Sequence, residues 1–151
     1  MILGFHQSEL AGDGRLLNLS TIQQNCEEKM AEFDVRPPNP RLNASNFSGG
    51  NQQKIVIARE FSANPGVLLV GQPTRGVDVG AIEFIHKQLL ALRDAGCAIL
   101  LVSVELDEIM SLSDRIMVLC DGKNVGIVDS DKADRQMLGL MMAGQKQEAA
   151  A

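Results

Sequence analysis

The chain contains no tryptophan and no tyrosine, and aromatic residues make up only 3% of its 151 residues. Stacking on nucleic-acid bases is therefore not expected, because it depends on aromatic side chains. The formal net charge of −5 also opposes binding to a phosphate backbone. The longest apolar runs, such as residues 97–102, are too short to cross a lipid bilayer. These absences predict a soluble chain that has no nucleic-acid partner.

Cysteine and histidine are also sparse. Cys26, Cys97 and Cys120 lie far apart and are odd in number, no Cys-x-x-Cys pair exists, and His6 and His86 are isolated. Disulfides and a metal site are therefore not expected, and reduced thiols in the cytosol fit this pattern. The first five residues form too short an apolar stretch for a signal peptide, and no small-residue cleavage site follows them.

The apolar content of 45% is enough for the core of one ordinary domain. Apolar spacing and turn residues predict helices at 20–33, 48–62, 82–95, 105–111 and 131–142, and strands at 67–70, 98–102, 115–120 and 123–128. We expect the first two strands to be buried on both faces, because they are continuously apolar. Asp121-Gly122 predicts a hairpin between the last two strands. The fold class is therefore α/β, with a mainly parallel sheet, flanking helices and a hairpin.

The string Asn46-Phe47-Ser48-Gly49-Gly50-Asn51-Gln52-Gln53-Lys54 is the most informative segment. Ser48 is a good N-cap residue for the helix that follows, and the amides of Gly49, Gly50 and Asn51 would point out of its end. Such an end can bind phosphate, although the three residues Ser-Gly-Gly alone would favour a simple capped helix. The full string resembles the signature motif of ATP-binding cassette (ABC) proteins, in the variant typical of sugar and nucleoside importers.

The resemblance extends to the segment where this family has its Walker B strand, here residues 67–70. That strand normally ends in Asp-Glu-Pro, in which Asp helps to hold magnesium and Glu positions the attacking water. This chain has Gly71-Gln72-Pro73 instead, and neither Gly71 nor Gln72 can carry a negative charge. Val104 stands where the family's switch histidine would contact the γ-phosphate. The resemblance therefore implies a degenerate Walker B and switch.

Residues 74–78 occupy the place of the family's D-loop, which lies across a dimer interface. Asp78 has two compatible interpretations, as a D-loop residue and as the N-cap of the helix through Ile82. The Walker A pattern Gly-x-x-x-x-Gly-Lys-Ser/Thr occurs nowhere in the sequence. We therefore expect the isolated chain to have no catalytic residues, no bound metal and no ATPase activity.

The resemblance covers residues 1–144 and implies the C-terminal part of the second nucleotide-binding domain of a sugar- or nucleoside-type ABC importer ATPase. Its fold would be an incomplete P-loop NTPase-like domain, with a helical subdomain at 1–62, part of an α/β core at 63–144 and a disordered tail at 145–151. Ser48, Gly49, Gly50, Asn51 and Gln52 would complete an ATP site whose Walker motifs lie on the first domain. ATP and Mg²⁺ would bind only in the intact assembly.

The resemblance further implies permease subunits as partners, an external substrate-binding protein as an indirect partner, and a cytoplasmic position on the inner face of the cell membrane. The isolated chain is expected to self-associate, because the family's upstream half would cover part of its sheet. Two alternatives stay open. One is a soluble ABC ATPase that does not serve transport, and the other is a non-enzymatic binding or regulatory fragment.

Overall fold

The computed structural model describes residues 17–145. Its elements are α1 (Leu19–Glu32), α2 (Gly49–Ser62), β1 (Val67–Gly71), α3 (Val79–Asp94), β2 (Ala98–Val102), α4 (Leu106–Leu112), β3 (Arg115–Cys120), β4 (Lys123–Asp129) and α5 (Arg135–Met142), with short 3-10 turns at Ala44–Asn46 and Ser130–Lys132. Two compact units share these elements. One contains α1, α2 and α3, the other contains α4, β3, β4 and α5, and β1 and β2 are divided between them. The predicted tail lies outside the described residues beyond Gln145, and the division at residue 62 stays a prediction.

Helix α1 begins one residue earlier than predicted, and its N-cap is Asn18. The Asn18 side chain accepts a hydrogen bond from the Thr21 amide at 3.2 Å. Asparagine is among the most favourable N-cap residues. The helix buries Met30 and is followed by the buried Phe33.

Phe33 is the centre of the apolar core of the helical unit. Its ring makes edge-to-face contacts with Phe61 at 6.4 Å and Phe84 at 5.7 Å between centroids. These are preferred arrangements for aromatic rings. The contacts join the end of α1 to α2 and α3, so three of the five phenylalanines of the chain lie together there.

Strands β1 and β2 form a two-stranded sheet. The Ala98 amide donates to the Gly66 carbonyl before the strands, and the Gln72 amide donates to the Val102 carbonyl after them. The two strands therefore run in the same direction, as predicted. The expectation of burial on both faces is wrong. Leu68 is buried, whereas Leu69 is 74% exposed, because one face of this strand has no cover in the described chain.

The start and end of helix α3 are set by local residues, Asp78 and Gly96. The Asp78 side chain caps it by accepting a hydrogen bond from the Ala81 amide at 2.9 Å. Gly96 follows its end with φ of 97°, a left-handed conformation that favours glycine. The observed helix starts three residues before the predicted one, directly after the Asp78 cap.

The second unit is built on the β3–β4 hairpin. Asp121 and Gly122 have φ of 49° and 71°, the conformation of a type I′ turn, which confirms the predicted hairpin. Its inner face, with Ile116 and Val118, packs against Leu138 and Met141 of α5. The predicted helix at 131–142 is interrupted. A 3-10 turn ends at Lys132, and α5 begins after Asp134, whose side chain accepts a hydrogen bond from the Met137 amide at 2.8 Å.

Candidate functional site

The N-terminus of α2 lies at the glycines of the signature string. Ser48 is its N-cap residue by backbone conformation, with φ of −61° and ψ of 157°. The predicted capping bond is absent, since the Ser48 side chain accepts no hydrogen bond from the first-turn amides. A Cβ atom built on Gly49 would meet no atom within 4 Å. This helix end therefore presents its first-turn amides and the positive end of its dipole without a capping bond from Ser48, and with open space beside Gly49.

The Ser48 hydroxyl is instead held by Asn51. The Asn51 side-chain nitrogen donates to Ser48 Oγ at 2.9 Å, and its side-chain oxygen accepts from the Arg36 backbone amide at 2.7 Å. The Gln52 side chain donates to the Phe47 carbonyl at 2.8 Å. The polar side chains of the signature string thus hold the turn that precedes the helix, which sequence spacing alone did not indicate.

A turn at residues 34–36 supports this arrangement from the end of α1. Asp34 adopts a left-handed conformation with φ of 47°. The Lys54 ammonium donates to the Asp34 carbonyl at 3.0 Å and lies 3.4 Å from its carboxylate, and the Arg36 guanidinium donates to that carboxylate at 2.8 Å. The Arg36 hydrogen bond, followed by that of Lys54, holds the pKa of Asp34 below its ordinary value. The sequence patterns did not predict this cluster, although Asp34 and Arg36 are an acid–base pair two residues apart.

The segment in the D-loop position lies against the same helix end. A Cβ atom built on Gly50 would lie 3.6 Å from Val77 Cγ1. The Gln53 side chain donates a hydrogen bond to the Pro73 carbonyl. Asp78, one residue after Val77, caps α3 by accepting a hydrogen bond from the Ala81 amide. Of its two predicted roles, the N-cap role is the one that has a contact within this chain. The structure therefore brings the signature residues and the 73–78 segment together within one unit.

The residues in the Walker B and switch positions lie in the other unit. Gly71 ends β1, and Gln72 follows it in a left-handed conformation with φ of 52°. The Gln72 amide donates to the Val102 carbonyl at 2.8 Å, and Val102 is the last residue of β2. Val104 comes two residues later and is exposed. The three positions thus lie at or just after the ends of neighbouring strands. None of them has a carboxylate or an imidazole side chain.

Neither a metal-binding cluster nor a membrane-spanning helix is found within residues 17–145. No group of three or more His, Cys, Asp or Glu side chains is arranged to hold a metal ion in that part of the chain. Each helix described there is too short or too polar to cross a membrane.

Comparison with known proteins identifies close sequence relatives. The chain is 52% identical over 128 residues to the nucleoside import ATP-binding protein NupA of Lactococcus lactis, with 85% of this chain and 25% of the relative covered. It is 48% identical over 135 residues to the guanosine import ATP-binding protein NupO of Bacillus subtilis, with 89% and 26% covered. A glucose import ATP-binding protein of Haloferax volcanii is 43% identical over 135 residues, with 88% and 24% covered. The chain spans about a quarter of the length of these relatives, and no protein-family model matches it.

Solved structures with similar folds are ABC domains. An ATP-binding subunit of an ABC transporter matches with a TM-score of 0.71 at 20% identity, with 91% of this chain and 60% of the other covered. A dimeric ATP-binding cassette bound to ADP and Pi in a post-hydrolysis state matches with a TM-score of 0.66 at 22% identity, with 78% and 50% covered. The chain is therefore homologous to the ATP-binding proteins of nucleoside and sugar import, and its fold is that of part of an ATP-binding cassette.

Proposed function

We propose that this chain supplies the signature half of an ATP site in an ABC importer. Ser48, Gly49, Gly50, Asn51 and Gln52 would complete the binding site of an ATP molecule held by another nucleotide-binding domain, with Ser48 at the γ-phosphate. The observation that carries the proposal is the N-terminus of α2, where Ser48 leaves the first-turn amides uncapped. Uncapped amides and the positive end of a helix dipole together favour a phosphate group.

The chain's own Walker B and switch positions would form a weak catalytic site. A magnesium-binding carboxylate and a water-positioning carboxylate are needed in this chemistry, and Gly71 and Gln72 supply neither. Val104 has no hydrogen-bond donor on its side chain for a γ-phosphate. Mg²⁺-dependent ATP hydrolysis would therefore occur mainly at the site that this chain completes with its signature residues.

The complementary nucleotide-binding domain would be the first such domain of the same importer ATPase. Permease subunits would attach the pair to the cytoplasmic face of the cell membrane, and an external substrate-binding protein would deliver a nucleoside or sugar to the permease. The names of the relatives, which specify nucleoside, guanosine and glucose import, support this assignment. We call the chain together with its complementary domain the assembled ATPase.

Phosphate release provides the test. The purified 151-residue chain should release no more phosphate from Mg²⁺–ATP than a heat-denatured control, because no Walker A pattern occurs in it. The assembled ATPase should hydrolyse ATP and should be stimulated by permease and substrate-binding protein. Hydrolysis by the isolated chain would contradict the proposal, and hydrolysis without any response to a permease would favour the soluble, non-transport alternative.

A further inference from the structure

The side chain of Asn51 is occupied by two hydrogen bonds within its own unit. The Arg36 backbone amide lies 2.7 Å from its oxygen, and Ser48 Oγ lies 2.9 Å from its nitrogen. A backbone N–H can only donate, so the amide oxygen must face Arg36 and the NH₂ group must face Ser48. The direction of the second hydrogen bond therefore follows from the first.

This direction determines what the Ser48 hydroxyl can still do. A serine hydroxyl has one proton to donate and two lone pairs that accept. Asn51 occupies a lone pair, and Ser48 accepts no bond from the first-turn amides of α2. The hydroxyl proton thus remains available to an acceptor that approaches the exposed end of the helix. A phosphate oxygen is such an acceptor, and a hydrogen bond to a charged oxygen is stronger than a neutral one.

The Arg36 backbone amide, which bonds the Asn51 side chain, lies in a turn that is stabilised by an ion pair. The Arg36 amide belongs to the 34–36 turn, where the Asp34 carboxylate accepts a hydrogen bond from the Arg36 side chain at 2.8 Å. Lys54, three residues after Asn51, donates to the Asp34 carbonyl at 3.0 Å. The turn, Asn51 and Ser48 therefore form a continuous path of hydrogen bonds from the end of α1 to the N-terminus of α2.

We infer that Asn51 is a positioning residue that orients the Ser48 hydroxyl as a donor to the phosphate, and that its side chain does not contact the nucleotide. This inference rests on the proposed function, in which Ser48 meets the γ-phosphate. Its backbone amide, in the first turn of α2, can still contribute to the phosphate site. Asn51 thus acts on the reaction through Ser48.

A double-substitution cycle in the assembled ATPase tests the inference. Ser48→Ala should lower kcat by roughly 10²-fold, the size typical of losing one donor to a developing charge. Asn51→Ala should lower kcat by roughly tenfold with KM for ATP nearly unchanged, because the lost interaction strengthens in the transition state. The double variant should match Ser48→Ala within about twofold, since Asn51 would have no hydroxyl left to orient. Asn43→Ala, at an exposed position ahead of the signature string whose side chain makes no capping hydrogen bond, is the matched control and should leave kcat unchanged.

A second variant separates orientation from simple structural support. Asn51→Asp keeps an oxygen for the Arg36 amide but replaces the NH₂ donor with an acceptor that would capture the Ser48 proton. We expect its kcat to fall further than that of Asn51→Ala, with thermal unfolding midpoints of both variants close to that of the natural chain. An Asp variant more active than the Ala variant would overturn the inference, because support of the fold alone would then suffice.

The outcomes also separate the inference from the proposed function. Losses that multiply in the double variant would mean that Asn51 acts independently of Ser48, for instance by contacting nucleotide, and would overturn the inference alone. An unaffected Asn51→Ala variant beside an impaired Ser48→Ala variant would do the same. An unaffected Ser48→Ala variant would overturn both the inference and the proposed function.

Discussion

Gly50 lies against Val77, with a Cβ atom built on the glycine 3.6 Å from Val77 Cγ1. That is an ordinary van der Waals distance, and neither Gly49 nor Gly50 has a positive φ. The chain itself therefore has room for a methyl group at both positions. If activity requires glycine at these positions, the reason is a molecule that approaches the helix end from outside this chain.

This relationship predicts opposite effects on stability and activity. Gly49→Ala and Gly50→Ala should leave the free energy of unfolding unchanged or raise it by up to about 1 kcal/mol each, because alanine favours the helix. Both should lower the rate of the assembled ATPase, since a methyl group would crowd the phosphate at the open amides. Chemical denaturation and phosphate release measure the two effects. A stable variant with full ATPase activity would contradict binding of phosphate at this helix end.

Exposed apolar residues on β1 predict self-association of the isolated chain. Leu69 is 74% exposed and Leu68 only 8%, so a polar substitution at Leu69 removes apolar surface without opening the core. Leu69→Thr should shift the chain towards monomer in light scattering, with little change in unfolding midpoint. Leu68→Ala is the contrasting variant and should destabilise the fold by roughly 2–5 kcal/mol. A natural chain that is monomeric at all concentrations would refute the prediction.

The Asp34 cluster predicts a pH-dependent contribution to stability. Since the pKa of Asp34 is lowered in the folded chain, the folded state favours the carboxylate more than the unfolded state does. The contribution is fully present above the unfolded pKa of about 4 and is lost as pH falls through the lower folded value. Asp34→Asn should therefore reduce stability slightly at pH 7 and less at pH 2, and asparagine also tolerates the observed left-handed backbone. An equal difference at both pH values would show that the charge of Asp34 is irrelevant.

The Walker B position at the end of β1 lacks both carboxylates, so restoring one of them by Gln72→Glu should not restore catalysis. Gln72→Glu should leave the turnover of the assembled ATPase close to that of the natural protein. Gly71 still lacks the carboxylate for magnesium, and Val104 still lacks a γ-phosphate contact, and groups that act as a unit are strongly non-additive. Steady-state phosphate release, compared with Gln72→Ala, is the measurement. A clear rise in turnover from Gln72→Glu would show that the other two positions matter less than proposed.

Local signals predicted much of this fold. The sequence indicated α2, the Asp78 cap and the Asp121-Gly122 hairpin, because each depends on residues close in the chain. The predicted capping bond from Ser48 was wrong, because the sequence does not show which partner the hydroxyl takes. Its hydroxyl had two possible uses, and the Asn51 side chain holds it away from the helix amides.

Non-local packing explains the other differences between prediction and structure. An apolar strand such as β1 indicates burial on both faces only if other elements cover both, and the described chain leaves Leu69 exposed. The link from Arg36 to Asn51 joins residues 15 positions apart. The sequence carried no spacing pattern for this link, because the link depends on the conformation of the turn at 34–36.

We expect this chain to contribute to ATP hydrolysis through its signature residues and not through its own Walker B position. Phosphate release by the assembled ATPase, compared between Ser48→Arg and Gln72→Ala, distinguishes these two contributions. We predict that Ser48→Arg lowers the rate by roughly 10²–10³-fold, because it replaces a phosphate donor with a bulky side chain at the helix end, whereas Gln72→Ala changes it by less than about threefold. Equal losses in the two variants would contradict the account.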